Sequence, residues 1–159
     1  MGDQGGDLIV VGVDGSVGAA AALDFALGEG WKRGCSVEVV TAWLGGGHLE
    51  EASHADDLAE GRARVQHMQA DVVARCLEGR IQAPDLMRVV VHDYAGRVLV
   101  SRAERASMVV VGSGSPSSVS QQVLGSVAEY CVRHSPVPVV IVPAPARLER
   151  RAAAGLPTG

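Results

Sequence analysis

Five short apolar runs, rich in valine and lacking polar alternation, recur along the chain and restrict its fold more than any other feature. They are LIVVGV at 8–13, VEVVTAW at 37–43, LMRVVV at 86–91, SMVVVG at 107–112 and VPVVIV at 137–142. A strand with one wet face alternates apolar with polar residues, whereas a run without alternation is covered on both faces, as in a parallel sheet. Between the runs lie segments of helical periodicity. The first, about 17–33, sets Leu23, Ala26, Leu27 and Trp31 on one side, and the second, about 55–79, does so with Leu58, Val65, Met68, Val72, Cys76 and Leu77. The third, about 96–106, offers Val98, Leu99, Ala103 and Ala106; the fourth, about 125–134, continues from Leu124 through Val127, Ala128, Cys131 and Val132.

Strict strand–helix alternation predicts an α/β fold. Each crossover returns the chain to the same end of the sheet, so the five strands are parallel, doubly wound in the order 3-2-1-4-5, with helices on both faces in a Rossmann-like arrangement. Aromatics are only 3% of the 159 residues while apolar residues are 47%, so the core is built from Val, Ala, Leu and Ile. One domain is expected over 7–145, between a disordered N-terminus, 1–6, and a disordered tail, 146–159. The Gly45–Gly47 stretch and the acidic segment 48–57 read as a mobile loop.

Charge and composition exclude several classes. The net charge of −4 and the absence of a Lys or Arg run remove the surface that general nucleic-acid binding needs. No apolar run approaches the roughly 20 residues that span a bilayer, and the first residues, MGDQGGD, do not resemble a signal peptide, so a cytoplasmic location is expected. Cys35, Cys76 and Cys131 lack C-x-x-C spacing and are expected to be free thiols. His48, Glu50, Glu51, His54, Asp56 and Asp57 crowd one segment without a recognised ligand spacing, and no metal site is expected there.

In a doubly wound sheet ligands bind beyond the carboxyl ends of the strands where the winding reverses, here between strands one and four. The loops meeting there are Asp14-Gly15-Ser16 and GSGSPSSVSQQVLGS at 112–126. Gly112 lets backbone approach a ligand, Ser113 and Ser115 supply hydroxyls, and Gly125-Ser126 opens the last helix, whose free N–H groups favour an anion. Neither G-x-x-x-x-G-K-[ST] nor G-x-G-x-x-G occurs, which disfavours those two nucleotide-binding classes. Ser16 is expected to cap the first helix and Ser126 the fourth. His92 and Asp93 follow strand three without a partner nucleophile and read as a satisfied loop-edge pair.

The opening LIVVGVDGS, TAW at 41–43, SMVVVGS at 107–113 and the closing GSVAEYCVRHSPVPVVIV at 125–142 resemble the universal stress protein family. That family's loop runs Gly, two residues, Gly, nine residues, Gly and Ser or Thr; here it reads Gly112-x-x-Ser115, nine residues, Gly125-Ser126. The resemblance implies an adenine-nucleotide site, ATP first, with or without Mg2+, and AMP or ADP as alternatives. It carries Val13, Asp14, Ala42, Gly112, Gly125, Ser126 and Val127 into the binding set, to which Ser113 and Ser115 add their hydroxyls. Ser115 stands where the family has glycine, at a cost of about 1–2 kcal/mol for left-handed backbone, and Gly114 is the alternative flexible point.

The last strand is an edge that needs cover, and Val139, Val140, Ile141 and Val142 are able to pair antiparallel with a second copy. Members of the resembled family commonly dimerise this way, so a homodimer is expected. The resulting reading is a non-enzymatic, nucleotide-binding stress-response dimer with at most slow ATP hydrolysis. A nucleotide-free dimeric interaction module of the same fold is the alternative. A serine hydrolase ranks last, because no G-x-S-x-G elbow is present.

Overall fold

A computed structural model describes residues 7–44, 55–114 and 124–145. Its elements follow the order β1 (Leu8–Gly12), α1 (Val17–Arg33), β2 (Ser36–Trp43), α2 (Ala55–Leu77), β3 (Leu86–His92), α3 (Ala95–Ala103), β4 (Met108–Gly112), α4 (Ser126–His134) and β5 (Val139–Val142). The strands form one parallel sheet in the order β3-β2-β1-β4-β5. The expected termini, 1–6 and 146–159, the segment 45–54 and residues 115–123 lie outside the described residues.

The missing alternation has its cause in coverage from both sides: Ile9, Val10 and Val11 are consecutive and all 0% exposed. Ile9, Val11, Val37, Val39 and Val110 pack beneath α1 and α2, while Val10, Val40, Val109 and Val111 pack beneath α3 and α4. The chain winds outward from β1 through β2 to β3, then returns to β4 and β5 in the opposite direction. Right-handed crossovers therefore place α1 and α2 on one face and α3 and α4 on the other. The loops after β1 and β4 leave the sheet toward opposite faces and open a crevice between them.

Four residues expected on the packed stripes lie at the surface: Trp31, Leu58, Leu124 and Val132 are 47%, 42%, 41% and 54% exposed. In α1 the inward position is taken by buried Gly30, which turns Trp31 to the rim. The others sit at or near the flanks of helices whose buried stripe is narrower than the apolar spacing suggests; in α4 the buried residues are Ala128 and Cys131.

Charge also enters the core. Glu38 of β2 is 2% exposed, and its Oε1 accepts from Arg102 Nη1 at 2.5 Å and Arg105 Nη2 at 3.0 Å. Its Oε2 is buried without a partner among the described residues. The cluster ties α3 and the turn after it to the amino end of β2, the end of the sheet opposite the crevice.

Candidate functional site

The crevice wall at β1 is fixed by side chains as well as by the ladder. Val13 N donates to Val40 O at 2.9 Å, and Val13 O accepts from Thr41 Oγ1 at 2.7 Å. Buried Gln69 of α2 donates from Nε2 to Thr41 Oγ1 at 3.1 Å and to the carbonyls of Val39 and Val89, each at 3.0 Å. Both backbone polar groups of Val13 are thus engaged, and what Val13 offers the cavity is surface. Asp14 follows, exposed, with Oδ1 accepting from Ser16 N at 3.0 Å, and Ser16 Oγ in turn accepts from Ala19 N at 3.2 Å. The aspartate shapes the turn, the serine caps α1 as expected, and Asp14 Oδ2 accepts no bond among the described residues.

The opposite wall is made of close backbone contacts. Ser113 N donates to Val142 O and Ser113 O accepts from Gly125 N, both at 3.0 Å, which fastens β4 to β5 and to the start of α4. Gly114 has φ +118°, and a Cβ on it would lie 3.0 Å from Gly125 Cα. This is the flexible point anticipated one residue before Ser115, which itself lies outside the described residues. A Cβ on Gly112 would meet Gly18 C at 2.7 Å, so only glycine lets the end of β4 rest against the first turn of α1.

The capping expectation for Ser126 is corrected. Gly125 is the N-cap, with φ −60° and ψ 152° and no side-chain hydrogen bond, and Ser126 is the first helical residue. At the cap position a Cβ would lie 3.0 Å from Gly114 Cα, a tight contact that favours glycine there. The first turn of α4 consequently faces the crevice without a side-chain cap.

These walls enclose a cavity of about 190 Å³. Val13, Asp14, Ala42, Gly112, Gly125, Ser126 and Val127 line it together, and Ser113 lies in the adjoining strand-to-loop junction. The sequence reading missed Val40, Val111, Ala95 and Leu99, which line the same cavity from beneath and from α3. The period-2 facing of the strands identifies the two valines, whereas the approach of α3 has no local signal. One side of the cavity is thus aliphatic and the rim carries Asp14, Ser16 and Ser126, a combination suited to a flat apolar group with a polar extension.

Other candidates are accounted for by structure. The His92 ring lies against Trp43 with centroids 4.8 Å apart, and Asp93 Oδ1 accepts from Tyr94 N at 2.7 Å. Arg97 lies 3.8 Å from Asp93 and does not line the cavity. Cys35, Cys76 and Cys131 are free thiols; burial pushes the Cys131 thiol up to about 11. His48, Glu50, Glu51 and His54 fall outside the described residues. Among the described residues no group of three or more His, Cys, Asp or Glu forms a metal-ligand cluster, and no helix is long and apolar enough to cross a membrane.

A doubly wound sheet with a cavity at its reversal point defines a class of α/β ligand-binding folds. Within that class, the model of the Universal stress protein family matches residues 7–143, and the chain belongs to that family. Universal stress protein Rv2623 of Mycobacterium tuberculosis is 32% identical over 136 residues, covering 84% of this chain and 44% of the relative. Universal stress protein Mb2019 of Mycobacterium bovis is 31% identical over 140 residues, 86% of this chain and 44% of that one. The chain thus spans less than half the length of these curated relatives.

Solved structures agree in fold. A universal stress protein in complex with cAMP superposes with a TM-score of 0.67 at 24% identity, covering 89% of this chain and all of that one. A universal stress protein from Archaeoglobus fulgidus in complex with dAMP gives 0.60 at 23% identity, with coverages of 87% and 99%. An Arabidopsis thaliana family member with AMP bound gives 0.56 at 15% identity, covering 89% and 94%.

Proposed function

We propose that the chain binds an adenine nucleotide, ATP foremost, in the β1/β4 crevice, and acts in the cytoplasm as a regulatory homodimer in stress response rather than as an enzyme. One observation carries this reading: Asp14, Ala42, Gly112, Gly125 and Ser126, read from distant parts of the sequence, line one cavity. Its volume is below the roughly 300–1,000 Å³ of whole small-molecule sites, so the enclosed part receives the base. Asp14 Oδ2 accepts from the adenine amino group. The sugar and phosphates extend toward Gly112–Gly114 and the uncapped first turn of α4, whose N–H groups and dipole favour anions. Mg2+ arrives with ATP, and AMP and ADP compete for the same place. Family structures containing cAMP, dAMP and AMP support the adenine class.

The alternative, a nucleotide-free dimeric interaction module, draws on the cavity lining, which among the described residues contains neither Lys nor Arg. Calorimetric titration of ATP with magnesium distinguishes the two. Wild type is expected to bind saturably, and Asp14→Ala to bind about tenfold more weakly, the equivalent of one charge-assisted hydrogen bond. Asp14→Asn, which keeps the turn acceptor, separates loss of the base contact from loss of the turn. Absence of heat and of thermal stabilisation at millimolar ATP establishes the interaction module instead. Phosphate release measured in the same samples tests for slow hydrolysis.

A further inference from the structure

The outer edge of β3 borders a second cavity, of about 590 Å³, unrelated to the crevice and independent of the nucleotide reading. Its walls are Arg62, Gln66, His67 and Ala70 of α2, and its base is the stretch Arg88–Val90 of β3. The strand is seven residues long and ends the sheet. Val37 N donates to Asp85 O, which fixes the phase of the β2/β3 ladder. In a parallel pair successive residues point their N–H and C=O alternately to the two sides. Asp85, Met87, Val89 and Val91 therefore face β2, while Arg88 and Val90 direct both backbone groups outward beside the cavity.

The same cavity collects basic side chains. Among the described residues Arg62, His67 and Arg88 form no ion pair, as is also true of Arg64 and Arg75 elsewhere on α2, whereas Arg33, Arg80, Arg97, Arg102, Arg105 and Arg133 each lie against a carboxylate. On a chain of net charge −4, this is a local positive groove running along an open strand. We propose that this groove docks an extended acidic peptide of another protein, which adds to β3 as a sixth strand while its carboxylates meet Arg62, His67 and Arg88. A simple anion uses the arginines but has no use for the outward carbonyls of Arg88 and Val90. A peptide strand uses both, and its alternate side chains reach the α2 wall.

The test titrates the full chain into a fluorescent peptide of alternating valine and glutamate, and into the same peptide with lysine for glutamate, reading anisotropy. The glutamate peptide is expected to bind at least about tenfold more tightly than the lysine peptide, and Arg62→Glu or Arg88→Glu to weaken it about five- to tenfold each. Val90→Pro removes one outward N–H without touching charge, a change edge strands tolerate, and is expected to abolish saturable binding. In wild type the bound peptide should slow amide hydrogen exchange at Arg88 and Val90, a readout that stands if the proline variant does not fold. Equal binding of both peptides, or unchanged exchange at those amides, overturns the proposal. Displacement by equimolar pyrophosphate reduces the groove to an anion site. Arg88-dependent self-association of the protein alone assigns the edge to a second copy instead.

Discussion

At the scale of single residues, the most demanding positions are the ones with least side chain. Gly114 holds a left-handed φ against Gly125, so Gly114→Ala combines backbone strain with a 3.0 Å contact. It is expected to lower stability by about 1–2 kcal/mol in chemical denaturation and to weaken ATP binding in the same preparation. Cys131 gives a pH prediction. Its thiol is fully buried, and burial raises it from 9.0 to about 11. The folded protein favours the neutral form, so the unfolded chain ionises first as pH rises. The contribution of Cys131 is therefore complete below pH 9 and is lost progressively between 9 and about 11. Melting temperature should fall across that interval, and less steeply in Cys131→Ala, which removes the titration while lowering stability at neutral pH. An identical slope in the variant would refute the assignment.

At the scale of elements, Glu38 separates two kinds of loss. Removing Arg102 leaves the buried carboxylate with Arg105 as its remaining partner, and Arg102→Ala is expected to destabilise by about 1.5–3 kcal/mol. Glu38→Leu removes the buried charge itself and is expected to cost far less, or to stabilise, because Oε2 has no partner among the described residues to lose. Urea denaturation of the two variants side by side decides the order. The same residue marks the limit of what the sequence discloses. Runs such as LIVVGV declare strands buried on both faces because each residue individually repeats the message, and all nine elements were legible within a few residues. Within VEVVTAW nothing local sets Glu38 apart from its neighbours in the strand, since its meaning depends on Arg102 of α3 and Arg105 of the turn beyond it. In the same way topology places Asp14 and Gly125 at one crevice but not Leu99 and Ala95, and Ser126 passes for a cap because the Gly114–Gly125 contact is invisible locally.

At the scale of the whole molecule, the sheet has two edges with different characters. On β5, Pro138 O and Val142 O accept from β4, so by alternation Val139 and Ile141 turn their backbone groups outward. Strand β5 carries no charge and β3 carries Arg88, which suits the first to pairing with a copy of itself and the second to a partner of opposite charge. If the homodimer forms through β5, Ile141→Pro removes an outward donor while leaving the β4 ladder intact. Sedimentation should then shift from dimer to monomer with little change in circular dichroism, and a variant that remains dimeric would place the interface elsewhere.

The position of β4 beside β1 also governs when, in the life of a chain, the crevice first exists. Synthesis delivers Asp14 and Ala42 first, Gly112 only after three further elements, and Gly125 and Ser126 only after four. At about 5–20 residues per second, the first half of the site waits several seconds or more for its second half. A stalled or prematurely released product that stops before α4 keeps the aspartate yet lacks the α4 part of the opposite wall. Ligand capture is thereby reserved for chains translated nearly to the end of the fold.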